Sequence, residues 1–539
     1  MPQRAETCGG FFCQNVPVDQ SGEHLLFGIE DDGTVVAHIQ IQYQGAAEDF
    51  AWVLPLPAVP VVSVGSDEVF RTLRALTDVR FNAIGDGPDA CWDDDGDGGG
   101  GEGEGEGEGE VDVLQEGAVG PYDTAVVSSD DSEELMTWLT DHDYDIPRSA
   151  RPAVESYVND DYVFLALRLQ KDRAVGDLRP IVVRFEETGP CVPLRLTAIA
   201  ATPDMPIYVF VLADGRAVST NYLDVEPNWA AINWLRGADN YADVVRRAVD
   251  EATGHALVTE MAGAAEVLTD AFYWEGRFDL DALRPLDDAM AFYEELMSQG
   301  FTRSADLYAL MRRFIPKPES LDDVSDDEFY GCLECYADEL EGTGVDSMAF
   351  ADALQAEIVQ PLVDAQALAD RHSYLTRLYT AISPEEMTED PIFRFNMDLG
   401  DVPNSHDVEI EAICNGEGPA GATYRLTLPD GRILFVEPGD PGHPESDGQP
   451  TPDDMPASGR ASQQSEAGPG SPLYDNGDDI DTIIEREYGA PSELPDDADV
   501  PDLRGHEAHG GACGALPSSD HEPAFALLLL ALAAVLRRR

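Results

Sequence analysis

Positive charge is scarce in this chain. Its 539 residues include 33 Lys and Arg against 105 Asp and Glu, which gives a formal net charge of −72, and the only lysines are Lys171 and Lys317. Nucleic-acid binding needs clustered cationic side chains that neutralise phosphates, and an anionic membrane surface repels an acidic chain. We therefore expect no nucleic-acid partner, and we attribute the charge to a solvated surface suited to salty surroundings.

Catalytic sequence motifs are also missing. The chain contains no Gly-x-Ser-x-Gly elbow, no Walker loop and no His-Glu-x-x-His. Because 105 carboxylates produce Asp and Glu pairs at every spacing by chance, no acid–base pair can be nominated. We assign no catalytic residue, no cofactor-binding residue and no metal ligand, and we expect no cofactor.

One acidic stretch matches the spacing of a calcium-binding loop. Asp93, Asp95, Asp97, Gly98 and Glu104 satisfy the EF-hand pattern. The following Gly and Glu residues alternate, which makes the match nearly automatic, and the flanking helices are missing. We expect weak binding of divalent cations at most.

Two pairs of histidines are further candidates. His506 and His509 lie beside Glu507 in a polar linker, where they could capture a metal, although a solvated linker is the simpler interpretation. His24 and His38 lie near predicted strands and are most simply structural.

The hydropathy pattern predicts an α+β fold. With 43% hydrophobic residues, the chain has enough apolar material for two or three domains. We predict a strand-rich α+β domain over residues 8–225, with a disordered acidic Gly/Glu loop over 93–110, and a mainly helical region over 226–437 that closes with a β-hairpin. A disordered linker over 438–512 and a sorting tail over 513–539 follow, because such polar segments cannot bury enough surface to offset their ordering entropy.

Strand signals dominate the first predicted domain. Apolar and polar residues alternate over 35–41, the two-residue period of a half-buried strand, and the turn Asp31-Asp32-Gly33 pairs this strand with residues 25–29. Helices are predicted at 67–76 and 131–141, where acidic residues favour a helix start. Further strands are predicted at 50–54, 163–169, 181–185, 194–200 and 207–212.

Helical periodicity replaces this pattern after residue 228. Apolar residues over 241–252 form one face of a helix that Gly254 ends. Similar helices are predicted at 283–297, 304–314, 347–363 and 365–380. Strands return at 408–414, 423–428 and 432–436, the last two joined by the turn Pro429-Asp430-Gly431.

An apolar block at residues 50–57 is unusual because it combines Phe50 and Trp52 with Pro55 and Pro57. The simpler interpretation is a core strand that ends in a rigid turn. The alternative is a ligand site built from its aromatic groups and nearby carboxylates.

Several sequence blocks together resemble one protein family. In chain order they are Cys8-Gly9-Gly10-Phe11-Phe12-Cys13, Pro17-Val18-Asp19-Gln20, Asp49-Phe50-Ala51-Trp52-Val53-Leu54-Pro55-Leu56-Pro57, Pro193-Leu194-Arg195-Leu196-Thr197-Ala198, Tyr374-Leu375-Thr376-Arg377-Leu378-Tyr379, Ser383-Pro384-Glu385-Glu386-Met387 and Asp390-Pro391. This series resembles the domain-of-unknown-function 2330 (DUF2330) family. The resemblance brings no reaction with it, but it implies an exported bacterial protein whose first cysteine follows a signal peptide.

The eight cysteines bear on the compartment. Setting Cys513 aside leaves an odd number, so at least one is free or paired elsewhere. In an exported protein most would be bridged, and the candidate disulfides are Cys8 with Cys13 and Cys332 with Cys335, although sequence alone does not fix connectivity. The Cys-x-x-Cys at 332–335 could instead be redox-active or bind zinc, but it lacks a second ligand pair, and its acidic neighbours disfavour a reactive thiolate.

The C-terminal residues have the layout of a sorting signal. Cys513 precedes a short spacer, an apolar run over 524–536 and three arginines at 537–539. As a helix the run would cover about 20 Å, and a spanning helix needs roughly 20 apolar residues. The layout resembles the myxobacterial C-terminal sorting tag (MYXO-CTERM), which implies that the tail engages the membrane and sorting machinery, is cut near Cys513 and leaves the protein on the cell surface. Residues 1–7 contain no signal-peptide core. Either the chain is cytosolic and the resemblance of its tail is accidental, or an export signal lies upstream of Met1, and we expect the second.

Two classes of function remain. The favoured one is an exported, cell-surface or cell-envelope protein that acts as a non-catalytic binding or structural module. The alternative is an exported hydrolase-like enzyme whose active site the sequence does not reveal. A pocket with convergent polar groups would favour the enzyme, and a flat face would favour binding.

The sorting interpretation predicts the effect of one substitution. Cys513→Ala should leave the body folded, because the residue lies outside it, but should change the mature mass or the surface retention of the protein in bacterial cells. Mass spectrometry and cell fractionation measure both, and an unchanged mass together with unchanged localisation would contradict the interpretation.

Overall fold

A computed structural model describes most of the first of two compact units, Met1–Glu493 and Leu494–Arg539. The described residues are 19–30, 32–44, 51–85, 116–142, 144, 147–170, 178–186, 189–413, 421–444, 446 and 451–489. Several sequence predictions fall outside them: the acidic loop at 93–110, the Cys8–Cys13 pair, His506 and His509, and the tail with Cys513. No helix within the described ranges is both long and apolar enough to cross a membrane.

The strands, in chain order, are β1 (Asp19–Ile29), β2 (Thr34–Gln44), β3 (Ala51–Leu56), β4 (Val61–Val64), β5 (Arg80–Gly85), β6 (Glu116–Val119), β7 (Tyr122–Val127), β8 (Val163–Leu169), β9 (Ile181–Glu186), β10 (Met205–Ala213), β11 (Arg216–Ser219), β12 (Leu223–Pro227), β13 (Ala256–Ala264), β14 (Tyr374–Ile382), β15 (Phe393–Asn396), β16 (Ser405–Ile413), β17 (Thr423–Thr427), β18 (Ile433–Val436), β19 (Ser458–Gln463) and β20 (Ser471–Asp475).

The α-helices are α1 (Asp67–Thr77), α2 (Ser132–Asp141), α3 (Arg151–Asn159), α4 (Leu194–Thr197), α5 (Tyr241–Glu251), α6 (Leu280–Leu283), α7 (Ala289–Ser298), α8 (Ala305–Phe314), α9 (Asp326–Gly331), α10 (Ala337–Leu340), α11 (Ser347–Leu354), α12 (Gln360–Ala369) and α13 (Gly477–Glu487). A π-helical turn, Gln355–Val359, joins α11 to α12. The α+β class predicted from the sequence is confirmed, with strands early, helices in the middle and strands again near the end.

A ten-stranded mixed sheet organises the unit, in the order β20-β19-β12-β13-β14-β10-β1-β2-β9-β4. Strand β1 pairs parallel with β10 and antiparallel with β2. The hairpin predicted between β1 and β2 is confirmed, and Gly33 at its turn has φ +84°, a conformation that glycine adopts without steric cost. Smaller sheets have the orders β3-β8-β7-β6, β18-β17-β16-β5 and β11-β15.

The large sheet separates two hydrophobic cores. On one face Leu25 and Phe27 pack with Trp52 and its neighbours on the β3-β8-β7-β6 sheet, whose outer face is covered by α2 and α3. On the other face Leu26 and Phe210 pack beneath α1 and the helices α6 to α12. A third core lies between α5, α13 and the β18-β17-β16-β5 sheet. The order of layers is therefore helix, sheet, sheet, helix.

The predicted helical region also contributes two central strands to the large sheet. The helix predicted at 365–380 is wrong beyond Ala369, where α12 ends, because β14 begins at Tyr374. Nearly every residue of β14 is buried, so its sequence lacks the two-residue alternation that marks a half-exposed strand. Strand β14 pairs with β10, which lies before residue 225. The predicted domain boundary at 225–226 therefore does not divide the sheet.

A second correction concerns residues 194–200, which were predicted to form a strand. The structure has the short helix α4 there, with the Ala198 amide donating to the Leu194 carbonyl at 2.8 Å. A short run of alternating apolar residues fits a buried helical turn as well as a strand. Pro193, which precedes it, has no N–H to offer to a sheet.

The disordered linker predicted over 438–512 is wrong for residues 451–489. Strand β19 pairs with β12 at the end of the large sheet, and β20 pairs with β19. Helix α13 then buries Ile480, Ile483 and Ile484 in the third core. The average composition of the stretch is polar, but backbone pairing and three isoleucines are enough to order this part of it.

Candidate functional site

A cavity of about 530 Å³ opens on the face of the large sheet that the helices cover. We call it the His24 pocket. Strands β1 and β2 contribute His24, Gln40 and Gln42, and the start of α8 contributes Ser304 and Ala305. Helix α1 and the residue after it contribute Asp67, Phe70, Arg71, Arg74, Ala75 and Asp78.

Helix α1 presents charged residues to the pocket because of their spacing. Ser66 caps the helix by accepting a hydrogen bond from the Glu68 amide, a stabilising arrangement at a helix start. Asp67, Arg71, Arg74 and Asp78 then follow at intervals of three or four residues, which places them along one side. Each turn of α1 therefore delivers one charged group to the same cavity.

Four side chains form a polar and aromatic row across the sheet beneath α1. Gln40 lies opposite His24, His24 opposite Tyr208, and Tyr208 opposite Tyr379. The two tyrosine rings stack with centroids 4.6 Å apart, and His24 meets the edge of the Tyr208 ring at 5.3 Å. This part of the sheet face is therefore polar and aromatic.

The hydrogen bonds of His24 fix its tautomer. Gln40 Nε2 donates to Asp67 Oδ1 at 2.6 Å, which leaves Gln40 Oε1 as the acceptor at 2.8 Å from His24 Nδ1. Since the amide oxygen only accepts, Nδ1 carries the proton and Nε2 keeps a lone pair. Burial lowers the pKa of His24 to about 4. At neutral pH the pocket therefore contains a neutral imidazole.

Asp67 belongs to a buried network that reaches the helical layer. Asp306 Oδ2 accepts hydrogen bonds from the Ser66 hydroxyl at 2.8 Å and from the Asp67 amide at 3.3 Å. Arg179 lies 3.5 Å from the other oxygen of Asp306 and 3.1 Å from Glu357. Burial and the neighbouring Asp306 carboxylate raise the pKa of Asp67 from 3.8 to about 7. Asp67 therefore keeps its proton to a much higher pH than a solvent-exposed aspartate does.

A second buried ion-pair cluster borders the pocket. Arg377 on β14 is 3% exposed, and it donates to Glu260 at 2.7 Å and to Asp78 at 2.5 Å. Glu260 lies where the pairing of β13 with β14 shifts register, and a bulge of this kind re-aims a side chain. Tyr241 donates to the other Glu260 oxygen at 2.9 Å. Glu260 and Asp78 thus both form ion pairs with Arg377.

Arg74 has no comparable partner. Its Nε is buried and donates no hydrogen bond to any described residue, and the nearest carboxylate oxygen, of Asp78, is 3.6 Å away. The guanidinium instead lies over the Tyr208 ring, 5.6 Å from the centroid. The Arg74 side chain as a whole is 43% exposed, so it is accessible to a ligand. A ligand oxyanion at this position would give Nε the acceptor that it lacks.

The pocket thus combines three groups: Arg74, whose Nε makes no hydrogen bond to a described residue, the neutral imidazole of His24, which can accept a hydrogen bond, and the carboxyl group of Asp67, whose pKa is raised to about 7. Such a set can bind a small polar molecule in one orientation. Across the described ranges, no cluster of three or more His, Cys, Asp or Glu side chains is arranged to hold a metal ion.

The candidate residues chosen from the sequence either lie outside the His24 pocket or have a role other than the one predicted. Cys332 and Cys335 form a disulfide, as predicted, with Cα atoms 5.3 Å apart. Every residue of β3, which carries Trp52 and Pro55, is buried, as the core-strand interpretation of residues 50–57 requires, and Phe50 lies outside the described residues. The histidines interpreted as structural, His24 and His38, both line cavities.

His38 was missed because its strand, β2, was predicted to be half-buried. Helices cover its polar face, and His38 is only 3% exposed. One signal was available in the sequence. The polar positions of β2 are His38, Gln40 and Gln42, whereas Asp and Glu are the most common polar residues in the chain.

The fold and the pocket define an α+β protein with a ligand-sized cavity on a mixed sheet. A family described as an uncharacterized protein conserved in bacteria (DUF2330) matches residues 2–394. The chain belongs to this family, and every residue that lines the His24 pocket falls within the match. Comparisons with curated proteins and with solved structures found no match.

The raised pKa of Asp67 predicts a pH-dependent effect on stability. Between about pH 4 and pH 7 the folded chain keeps a proton on Asp67 that the unfolded chain releases, so this group lowers the free energy of unfolding as the pH rises through that window. Asp67→Asn removes the effect. The free energy of unfolding of the variant relative to the wild type should rise by about 2–4 kcal/mol from pH 4 to pH 7.

Urea unfolding at pH 4, 5.5 and 7 measures this difference. The lowered pKa values of His24 and His38 act in the opposite direction, but they are present in both proteins and cancel. Asp322→Asn, at an exposed position, is the control and should follow the wild-type curve. A difference between Asp67→Asn and wild type that stays constant with pH would show that Asp67 is not protonated in the folded state.

Proposed function

We propose that this protein binds a small carboxylate in the His24 pocket, as a non-catalytic module exported to the bacterial cell envelope. The observation that carries the proposal is Arg74 Nε, which makes no hydrogen bond to any described residue and lies 3.6 Å from its nearest carboxylate, Asp78, although the chain has more than three acidic residues for each basic one. Acidic side chains are abundant, yet none is bonded to this donor. An oxyanion of a bound ligand could therefore occupy the position beside Arg74 Nε that no acidic side chain takes.

The other residues that line the pocket restrict which functional groups the ligand can carry. His24 Nε2 offers a lone pair, so it would accept a hydrogen bond from a hydroxyl or an amino group of the ligand. Asp67 in its protonated form adds a donor, and in its ionised form an acceptor. The ligand that suits this set is a compact carboxylate carrying a hydroxyl or amino group. A cavity of about 530 Å³ is within the usual range for small-molecule sites.

Export is part of the same proposal. The Cys332–Cys335 disulfide supports it, because disulfides persist in oxidising compartments and are rare in the cytosol. The C-terminal residues, interpreted as a MYXO-CTERM sorting tag, would anchor the protein at the surface after processing near Cys513. An acidic body that avoids nucleic acid and tolerates salt suits that location. Weak binding of divalent cations by the acidic loop at 93–110 would be compatible with it.

A second candidate is a hydrolase-like enzyme that uses the same pocket. The observation in its favour is the orientation of His24, whose Nδ1 is held by Gln40 while Nε2 keeps its lone pair, as a general base requires. Against it, burial lowers the pKa of His24 to about 4, which makes the imidazole a weak base at neutral pH. Binding is therefore the better supported function.

The binding proposal predicts the result of a titration. Calorimetry with malate, glutamate and galacturonate, each compared with the analogue whose carboxylates are all replaced by amides, should show binding of at least one carboxylate and not of its amide analogue. Arg74→Gln should weaken that binding by ten- to a hundredfold, since a hydrogen bond to a charged group contributes about 1.5–3 kcal/mol.

Arg151→Gln is the matched control, because Arg151 is a half-exposed arginine on another helix, and it should bind as the wild type does. Incubation with the methyl esters of the same acids distinguishes binding from the second candidate function, hydrolysis, because only an enzyme would release the free acid. Failure of all three carboxylates to bind, or equal binding by Arg74→Gln and the wild type, would refute the proposal.

A further inference from the structure

A second cavity lies beside the His24 pocket on the same face of the large sheet. It has a volume of about 300 Å³ and is lined by β2, β4 and β9 on one side and by α12 on the other. We call it the His38 cavity. Its walls are largely aliphatic, with Val36, Val61, Val182 and Leu368 among them.

His38 is a buried polar residue in this mainly aliphatic lining, and the lining residues do not account for its hydrogen-bonding groups. The residue is 3% exposed, and its Nδ1 has no hydrogen-bond partner in the described part of the chain. Burial lowers its pKa to about 4, so the ring is neutral near pH 7. A neutral imidazole has one N–H donor and one lone-pair acceptor. Leaving such groups unmatched in the interior is unfavourable.

The charges at the edge of the cavity are already matched. Arg371 makes a two-pronged ion pair with Glu30, at 2.6 and 3.0 Å, and Arg184 lies 3.6 Å from the same carboxylate. Asp364 accepts a hydrogen bond from Gln360 at 2.8 Å. Both arginines thus lie at Glu30 and Asp364 is bonded to a neutral amide, so the two positive and two negative charges around the cavity sum to zero. No excess charge at its edge favours an ionic ligand.

We propose that the His38 cavity is a binding site for a small uncharged molecule with a hydrocarbon body and one hydroxyl group, such as a simple phenol. The aliphatic walls hold the body. The hydroxyl both donates and accepts, so it can pair with the neutral imidazole whichever ring nitrogen carries the proton. The volume is also suitable, because it is roughly twice that of a cavity of about 150 Å³ that accommodates benzene.

The test compares two molecules of nearly the same shape. In 4-methylphenol a hydroxyl occupies the position of one methyl group of 1,4-dimethylbenzene. The shift in the unfolding temperature of the full chain, measured at matched free concentrations, should give an affinity for 4-methylphenol at least roughly tenfold higher. Crystals soaked with 4-methylphenol should show it between β2 and α12 with its oxygen at His38.

Substitutions then assign the binding to this cavity. His38→Leu should abolish the preference for 4-methylphenol, since a leucine offers no polar partner. Ala367→Phe offers a second variant if that core substitution fails to fold, because Ala367 is exposed on α12 and lines the cavity. It should block both molecules. Ala75→Phe in the His24 pocket is the control and should leave their binding unchanged, which keeps this test independent of carboxylate binding.

Three results would overturn the proposal. Equal affinity for the two molecules would remove the role of the hydroxyl, and absence of binding would leave only ordered water to satisfy His38. Unchanged binding in Ala367→Phe, with Ala75→Phe weakened, would place the molecule in the other pocket.

Discussion

The buried carboxylate of Asp306 is the contact on which the arrangement of the pocket depends. Asp306 comes from the first turn of α8, and it receives hydrogen bonds from Ser66 and from the Asp67 amide at the start of α1. Arg179, 6% exposed, approaches it from the strand side and also pairs with Glu357. A buried ion pair of this kind is weak support for stability, but removal of one partner typically costs 3–5 kcal/mol. Its role here is geometric: it fixes where α1 begins, and α1 supplies five of the eleven residues that line the His24 pocket.

The same contact sets the charge of the pocket. Asp67 and Asp306 are both buried, and burial raises the pKa of each. Two carboxylates close together in the interior do not ionise with equal ease, so Asp67 retains a proton to near neutrality. Two arginines and Asp78 line the cavity beside it, in a chain with a net charge of −72. The pocket is thus far less negative than the chain as a whole, which supports the proposal, made from Arg74, of a carboxylate ligand.

Many helices, strands and turns could be predicted from the sequence, because interactions between residues close together in the chain determine where they form. The β1–β2 hairpin follows from a turn and an alternation, and the helix predicted at 67–76 is observed as α1. Strand β14 was missed because a strand buried on both faces carries no periodic signal, and β19 was missed because its order comes from pairing with β12, more than 200 residues away. The site was missed for a related reason. His24, Gln40, Asp67 and Asp306 are distant in sequence, and only the sheet order and the helical layer bring them together.

The claim that Asp306 holds α1 in place is tested most directly by amide hydrogen exchange in Asp306→Asn. The neutral amide cannot form the ion pair with Arg179, so the account predicts faster exchange over residues 68–74 while protection in β10 and β14 is retained. Asp327→Asn, an exposed change in the same helical layer, should leave α1 as in the wild type. Unchanged protection of α1 in Asp306→Asn would contradict the account.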